Sequence, residues 1–189
     1  TNLSMNALCG KHPMKTIYLD HAATTPLKKE VLTTMLPHLK DTYGNPSSLH
    51  HLGRHAQDVL KAARARVATV LAVTPQEIIF TGSGTEANNL AIIGTAHALR
   101  AQGKHILLSC IEHPSVLGAG EMLRDEGFEI EYLPVDTFGH VDIADTLSRV
   151  RPDTILIPLM YANNEIGTIQ PLRRLADMLA KKTPGQQRP

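Results

Sequence analysis

The chain is predicted to adopt an α/β fold: a mostly parallel sheet with helices on both faces. Three features support this. Short apolar runs alternate with helix-patterned segments from about residue 78 onward. The most apolar run, TILIPLMY at 154–161, has the composition of a strand buried on both faces. A glycine-rich loop, FTGSGTEANN at 80–89, joins a strand-like run to a helical one, a connection typical of ligand-binding α/β sheets.

Each element has its own local reason. TIYLD (16–20) reads as a first short strand. Thr25 can cap a helix that starts at Pro26, with Val31, Met35 and Leu39 at helical spacing and a kink expected at Pro37. YGNPSS (43–48) is turn chemistry. An amphipathic helix is expected over 54–71, where Ala56, Val59, Leu60, Ala63, Val67, Val70 and Leu71 form one stripe. TPQE (74–77) resembles a capping box but precedes a strand-like run, so it is read as a single turn. EIIFT follows as a strand, then a helix over 85–99 and the strand HILLSC (105–110). A helix over 115–126 is ended by Gly127. The strand EIEYL (129–133), a short helix over 143–150, the strand at 154–161 and a helix over 171–182 complete the pattern.

Composition narrows the function classes. The 189 residues are 42% hydrophobic and 20% charged, which fits a folded core. A net charge of +1 gives no electrostatic case for nucleic acid or an anionic membrane. Cys9 and Cys110 show no metal-type spacing, so a reducing, cytoplasmic setting is the expectation. No apolar run reaches the ~18 residues of a membrane helix, and the first residues lack the apolar core of a secretory signal. Residues 1–15 read as a disordered tail, 16–182 as one domain, and 183–189 as a tail or truncation point.

The glycine-rich loop is the first candidate site. Unpaired N–H groups at a helix start face outward, and the helix dipole favours an anion there. Gly82 and Gly84 permit close approach, and Thr85 adds a hydroxyl. Residues 82–87 also fit the dinucleotide pattern G-x-G-x-x-A, with Glu112 after the next strand where a ribose-binding acid would lie. A glycine turn that merely caps a helix is the plainer alternative. The dinucleotide reading leaves His113 and Pro114 unexplained, and also NNE at 163–165. Ligands bind beyond the carboxyl ends of parallel strands, so the loops after EIIFT, HILLSC and TILIPLMY could share one edge. Alone, His113 reads as a surface or capping residue, Asn163 and Asn164 as a turn, and Cys110 as small buried packing. The ten histidines show no ligand spacing, and no metal is assigned.

Taken together, YLDHAATTP, YGNPSS, FTGSGTEANNLAI, EHPSV and ANNEIGTIQP, in this order and spacing, resemble the cysteine desulfurase and selenocysteine lyase family. The resemblance runs from about Ile17 to Leu179. It implies a pyridoxal-phosphate enzyme of the class V aminotransferase type, with a partial fold-type-I large domain. By that likeness Gly84 and Thr85 would hold the cofactor phosphate, His113 would lie on the ring face with a catalytic part, and Asn164 would contact the cofactor near the substrate. The implied reaction removes sulfur from cysteine, or selenium from selenocysteine. It leaves alanine and an enzyme persulfide that supplies iron–sulfur clusters or tRNA thiolation. A homodimer and a sulfur-acceptor protein are the implied partners.

The sequence departs from the family at decisive points. The Schiff-base lysine in its Ser-x-His-Lys context, the Asp-Ala-Ala-Gln strand and the nucleophilic cysteine have no counterpart here. The chain therefore resembles the amino-terminal half of such an enzyme. It is expected to be inactive alone, to bind the cofactor no more than weakly and reversibly, without a covalent link, and to expose apolar sheet edges. A truncated module that pairs with a full-length subunit and a NAD-binding oxidoreductase are the other readings.

Overall fold

The computed structural model describes residues 17–182, so the expected tails at 1–15 and 183–189 lie outside the described residues. The chain divides into two compact units, Thr1–Ala63 and Arg64–Pro189. In the first, α1 (Lys29–Lys40) begins at Lys28 with no side-chain cap, so the Thr25–Pro26 start is not used. Residues 17–20 form no strand, because no neighbouring strand takes up their backbone groups. The 43–48 segment is a turn as expected: Asn45 Oδ1 accepts from Ser47 N–H at 2.9 Å. Helix α2 (His51–Leu71) crosses from the first unit into the second.

The second unit holds the sheet. Its elements are α3 (Gly84–Leu99), β1 (His105–Ser109), α4 (Pro114–Asp125), β2 (Glu129–Leu133), α5 (Ile143–Arg149), β3 (Thr154–Leu156) and α6 (Leu172–Lys182). The strands are parallel in the order β2-β1-β3. β1 pairs along its whole length with β2, from His105 opposite Glu129 to Ser109 opposite Leu133. Both faces are covered. Ile106 and Leu108 of β1 pack with Ile92 and Ala96 of α3 and with Val116, Ala119 and Leu123 of α4. Leu107, between them in sequence, points to the opposite face and packs with Leu175 and Leu179 of α6, beside Ile143 and Leu147 of α5. The period-2 alternation of a strand thus sends one run of apolar residues into two cores.

Local signals set the helix ends. Ser83 Oγ accepts from Glu86 N–H at 3.1 Å to start α3, and Asp142 Oδ1 accepts from Asp145 N–H at 2.7 Å to start α5. α4 stops at Gly127, whose φ of 87° lets Phe128 N–H reach back to Leu123 O. Thr74 and Glu77 form the single turn expected there, with Glu77 Oε2 accepting from both Thr74 N–H and Thr74 Oγ1–H.

In the second unit, two further expected strands fail in part or whole. EIIFT is extended but unpaired. Ile78 O accepts from the Arg64 guanidinium, which also stacks 5.0 Å from the Phe80 ring centroid. Ile79 and Phe80 stay exposed. TILIPLMY is a strand over its first three residues only; residues 157–160 are half-buried and Tyr161 is exposed. β3 is an edge here, and Pro158 has no N–H to continue a ladder.

Candidate functional site

The loops that leave the carboxyl ends of β1 and β3, together with the start of α3, gather the candidate residues. At the first turn of α3, Gly84 has open space where a Cβ would stand, with no atom within 4 Å. The backbone N–H groups of Gly84 and Thr85 and the Thr85 hydroxyl take no partner among the described residues. Ser83 occupies the Glu86 N–H, and Glu86 Oε2 folds back 2.7 Å from Gly82 N–H. What remains is a short set of convergent donors at the positive end of a helix, the chemistry a phosphate monoester needs.

After β1, the chain turns through Cys110–Glu112 to His113. Cys110 is exposed, which corrects its reading as buried packing, since its side chain leaves the sheet at the strand's end. Glu112 is buried, and its Oε1 accepts from Ser109 Oγ–H at 2.7 Å and Met160 N–H at 2.8 Å. The carboxylate therefore braces the β1 loop against the segment after β3. Buried and engaged by the chain's own donors, it is not available to a ribose, so the dinucleotide reading loses its acid. His113 is the N-cap of α4: its Nδ1 accepts from Ser115 N–H at 3.1 Å, and its ring is exposed. Ser115 Oγ lies 2.8 Å from that Nδ1 and accepts from Asn88 Nδ2–H of α3 at 2.9 Å.

The loop after β3 is built by Asn163, not Asn164. Asn163 is buried, its Oδ1 accepts from Glu165 and Ile166 N–H at 2.8 and 3.1 Å, and its Nδ2 donates to Ile111 O at 3.1 Å. This leaves Asn164 exposed on the turn, donating to Glu165 Oε1 at 3.1 Å. Buried Gln170 ties the same loop to the 136–141 hairpin, accepting from Val141 N–H and donating to Gly139 O. In that hairpin the Asp136 carboxyl is held below the ordinary aspartate range. The His140 N–H is the main cause and the Phe138 N–H adds to it, against a burial effect in the other direction.

Gly84 and Thr85 are thus joined to His113 through Asn88 and Ser115, and the Asn164 loop is joined to the His113 loop through Asn163 and Glu112. No hydrogen bond links the predicted site residues directly among the described residues. Asn88, Ser115, Asn163 and Glu112 are the positions the sequence did not single out for these roles. The spacing of Ser115 two residues after His113 was the available cue. The donors at Gly84 and Thr85, and an exposed imidazole anchored by one nitrogen, suit the phosphate and ring of pyridoxal phosphate. Among the described residues no group of His, Cys, Asp and Glu could hold a metal ion, and no helix is long and apolar enough to cross a membrane.

The chain is similar to known proteins in sequence and in fold. A relative named cysteine desulfurase IscS, from Dictyoglomus turgidum, is 52% identical over 160 residues, covering 85% of this chain and 41% of that protein. A putative cysteine desulfurase IscS 1 from Bacillus subtilis is 48% identical over 166 residues, covering 88% of this chain and 44% of that protein. Among solved structures, a NifS-like protein superposes with a TM-score of 0.83 at 38% identity, covering 86% of this chain and 44% of that one. A structure titled SspA in complex with cysteine gives 0.82 at 36% identity, covering 88% and 48%. The chain spans less than half the length of these relatives. Residues 17–184 match the family described as aminotransferase class-V, and the chain belongs to that family.

Proposed function

We propose that this chain forms the phosphate- and ring-binding portion of a pyridoxal-phosphate-dependent cysteine desulfurase. The observation that carries the reading is the linked pair of sites at the sheet's carboxyl edge: free donors at Gly84 and Thr85, and His113 held by Nδ1. Gly84 and Thr85 would hold the phosphate by charge-assisted hydrogen bonds. His113 would lie on the ring face, and Asn164 would offer an uncharged donor toward the substrate. When bound, the cofactor supplies an electron sink for the substrate's α-carbon, and the chain's residues supply placement and electrostatics. Cysteine is preferred over selenocysteine as substrate, because the relatives are named cysteine desulfurases and a solved neighbour is titled as a cysteine complex. A homodimer and a sulfur-acceptor protein complete the proposal.

The described part of the second unit places no lysine among the candidate site residues. Its lysines are Lys104, ahead of β1 at the opposite end of the sheet, and Lys181 and Lys182 at the end of α6. Lys182 Nζ donates to the Leu147 and Val150 carbonyls. On this reading the chain by itself would bind the cofactor non-covalently and release no sulfide from cysteine.

Titrating the chain with pyridoxal phosphate, followed by absorbance, tests this. Saturable binding that inorganic phosphate competes away is expected, and Thr85→Val should weaken it about tenfold, the worth of one hydrogen bond to a charged group. Borohydride reduction and mass spectrometry should find no single labelled lysine. Absence of saturable binding, or a fluorescence response to NADH in its place, would sink the reading. Stoichiometric labelling of one lysine would overturn the non-covalent part.

A further inference from the structure

We infer that Ser115 and Asn88 are positioning residues that set the tautomer of His113, keeping its proton on Nε2. The argument starts from a group that can act in one way only. A backbone N–H donates and never accepts, so the Ser115 N–H 3.1 Å from His113 Nδ1 requires a lone pair on that nitrogen. Pro114, at the first position of α4, has no N–H, so Ser115 carries the first helix donor in need of an acceptor. Ser115 Oγ is 2.8 Å from the same Nδ1, and the lone pair obliges its hydroxyl to donate there too. The oxygen's own lone pairs then face α3, where Asn88 Nδ2–H donates at 2.9 Å. The donor directions form one chain, Asn88 to Ser115 to His113. A neutral imidazole with Nδ1 so occupied carries its hydrogen on Nε2. Nε2 takes no partner among the described residues, and the ring is exposed.

The device links two parts of the site. Asn88 lies one helical turn after Thr85, so the helix that offers the phosphate donors also orients the imidazole. Turning the ring about its Cβ–Cγ bond would break the bonds at Nδ1, so its plane is fixed before a ligand arrives. Nε2 is left as the nitrogen able to donate to, or exchange a proton with, a bound group. This rests on the pyridoxal-phosphate reading only for what Nε2 faces; the tautomer itself needs no ligand.

The test is two-bond ¹H–¹⁵N correlation on the full chain with ¹⁵N-labelled histidine, the His113 signals being identified by their loss in His113→Gln. The expected wild-type pattern is a non-protonated Nδ1 and a protonated Nε2. Asn88→Asp replaces the amide donor by an acceptor and turns the Ser115 hydroxyl round; with the backbone N–H still donating to Nδ1, the tautomer ratio should shift toward Nδ1–H at least about fivefold. Ser115→Ala should shift the tautomer ratio toward Nδ1–H about fivefold, the equivalent of one hydrogen bond, and Ser115→Thr should restore it. Circular dichroism confirms folding, and Ser115→Ala decides the matter if Asn88→Asp does not fold. A protonated Nδ1 in the wild type, or a ratio unmoved by the variants, overturns the inference. Pyridoxal phosphate bound by a chain whose His113 carries Nδ1–H would sink the relay and keep the function. The Nε2–H form in a chain that binds no pyridoxal phosphate would do the reverse.

Discussion

Glu112 makes the sharpest test of a single side chain, because its burial and its partners give its substitutions different costs. Glu112→Ala strips an acceptor from the fully buried Ser109 hydroxyl and from the Met160 N–H. Leaving such groups unsatisfied should cost about 1–3 kcal/mol in urea unfolding. Glu112→Gln keeps an oxygen in place and should lose well under half of that. Equal losses from both would mean that the charge, not the acceptor, matters. The comparison of His113→Ala with Cys110→Ala belongs here as well. In an active protein containing this chain, the histidine substitution should reduce desulfurase activity at least about tenfold more, since His113 is anchored at the site and Cys110 only donates its backbone N–H to Leu133 O. Such roles divide by range: His113 and Asn164 announced themselves in short motifs. Asn88 and Ser115 stand in two of the same motifs, but their pairing was not legible, because a hydrogen bond across 27 residues leaves no local pattern.

For segments, two glycines with similar backbone angles separate strain from space. Gly127 has a φ of 87° and no atom within 4 Å of a would-be Cβ, so Gly127→Ala should cost only about 1–2 kcal/mol of left-handed strain. Gly139 has a φ of 82°, but its Cβ would stand 2.6 Å from Ile166 Cδ1 and 3.3 Å from Thr168 Oγ1. Gly139→Ala should therefore lower the melting temperature more than Gly127→Ala and loosen the Asn164 loop, read as faster exchange of the Glu165 and Ile166 amides. The reverse order would show that the two loops are not packed as described. The same contrast explains which elements could be read from residue order. α4, with Gly127 behind it, and α5, with Asp142 ahead of it, carry their own stop and start signals and lie within a residue of expectation. β2 matches its expected range, having β1 beside it along its length. EIIFT, TIYLD and the second half of TILIPLMY have strand composition, yet a strand exists only where another accepts its hydrogen bonds.

The described residues leave many large apolar side chains exposed. None of α1's residues is buried, and Leu32, Met35, Leu36 and Leu39 are all exposed. In the second unit, Ile79 and Leu90 line an open apolar groove of about 580 Å³ along α3. Static light scattering at micromolar concentration should give a mass above the 20.6 kDa of one chain, increasing with concentration. A single species of 20.6 kDa throughout would contradict this. Acid should destabilise the second unit. The Asp153 carboxyl is lowered chiefly by its hydrogen bond with Arg151. Burial raises Glu131, but the hydrogen bonds and charges of Arg149 and His105 bring it below its ordinary value. With Asp136, these groups have folded-state values below their unfolded ones. Their contribution is present above the ordinary carboxylate range and fades as pH falls through the folded values. The melting temperature should drop as pH is lowered from about 5 to below 4, less steeply in Asp136→Asn. A flat profile would show that these exposed pairs contribute nothing.

The unequal ladders on the two sides of β1 also set two clocks. Amides in the middle of β1, paired and wholly buried, exchange with solvent only when the unit opens as a whole. Leu159, beyond the end of the β3 ladder, should exchange through small local openings, and its neighbour Met160, whose N–H donates to the Glu112 carboxylate, should exchange more slowly. A ligand that touched both His113 and Asn164 should then slow Leu159 toward the rate of β1.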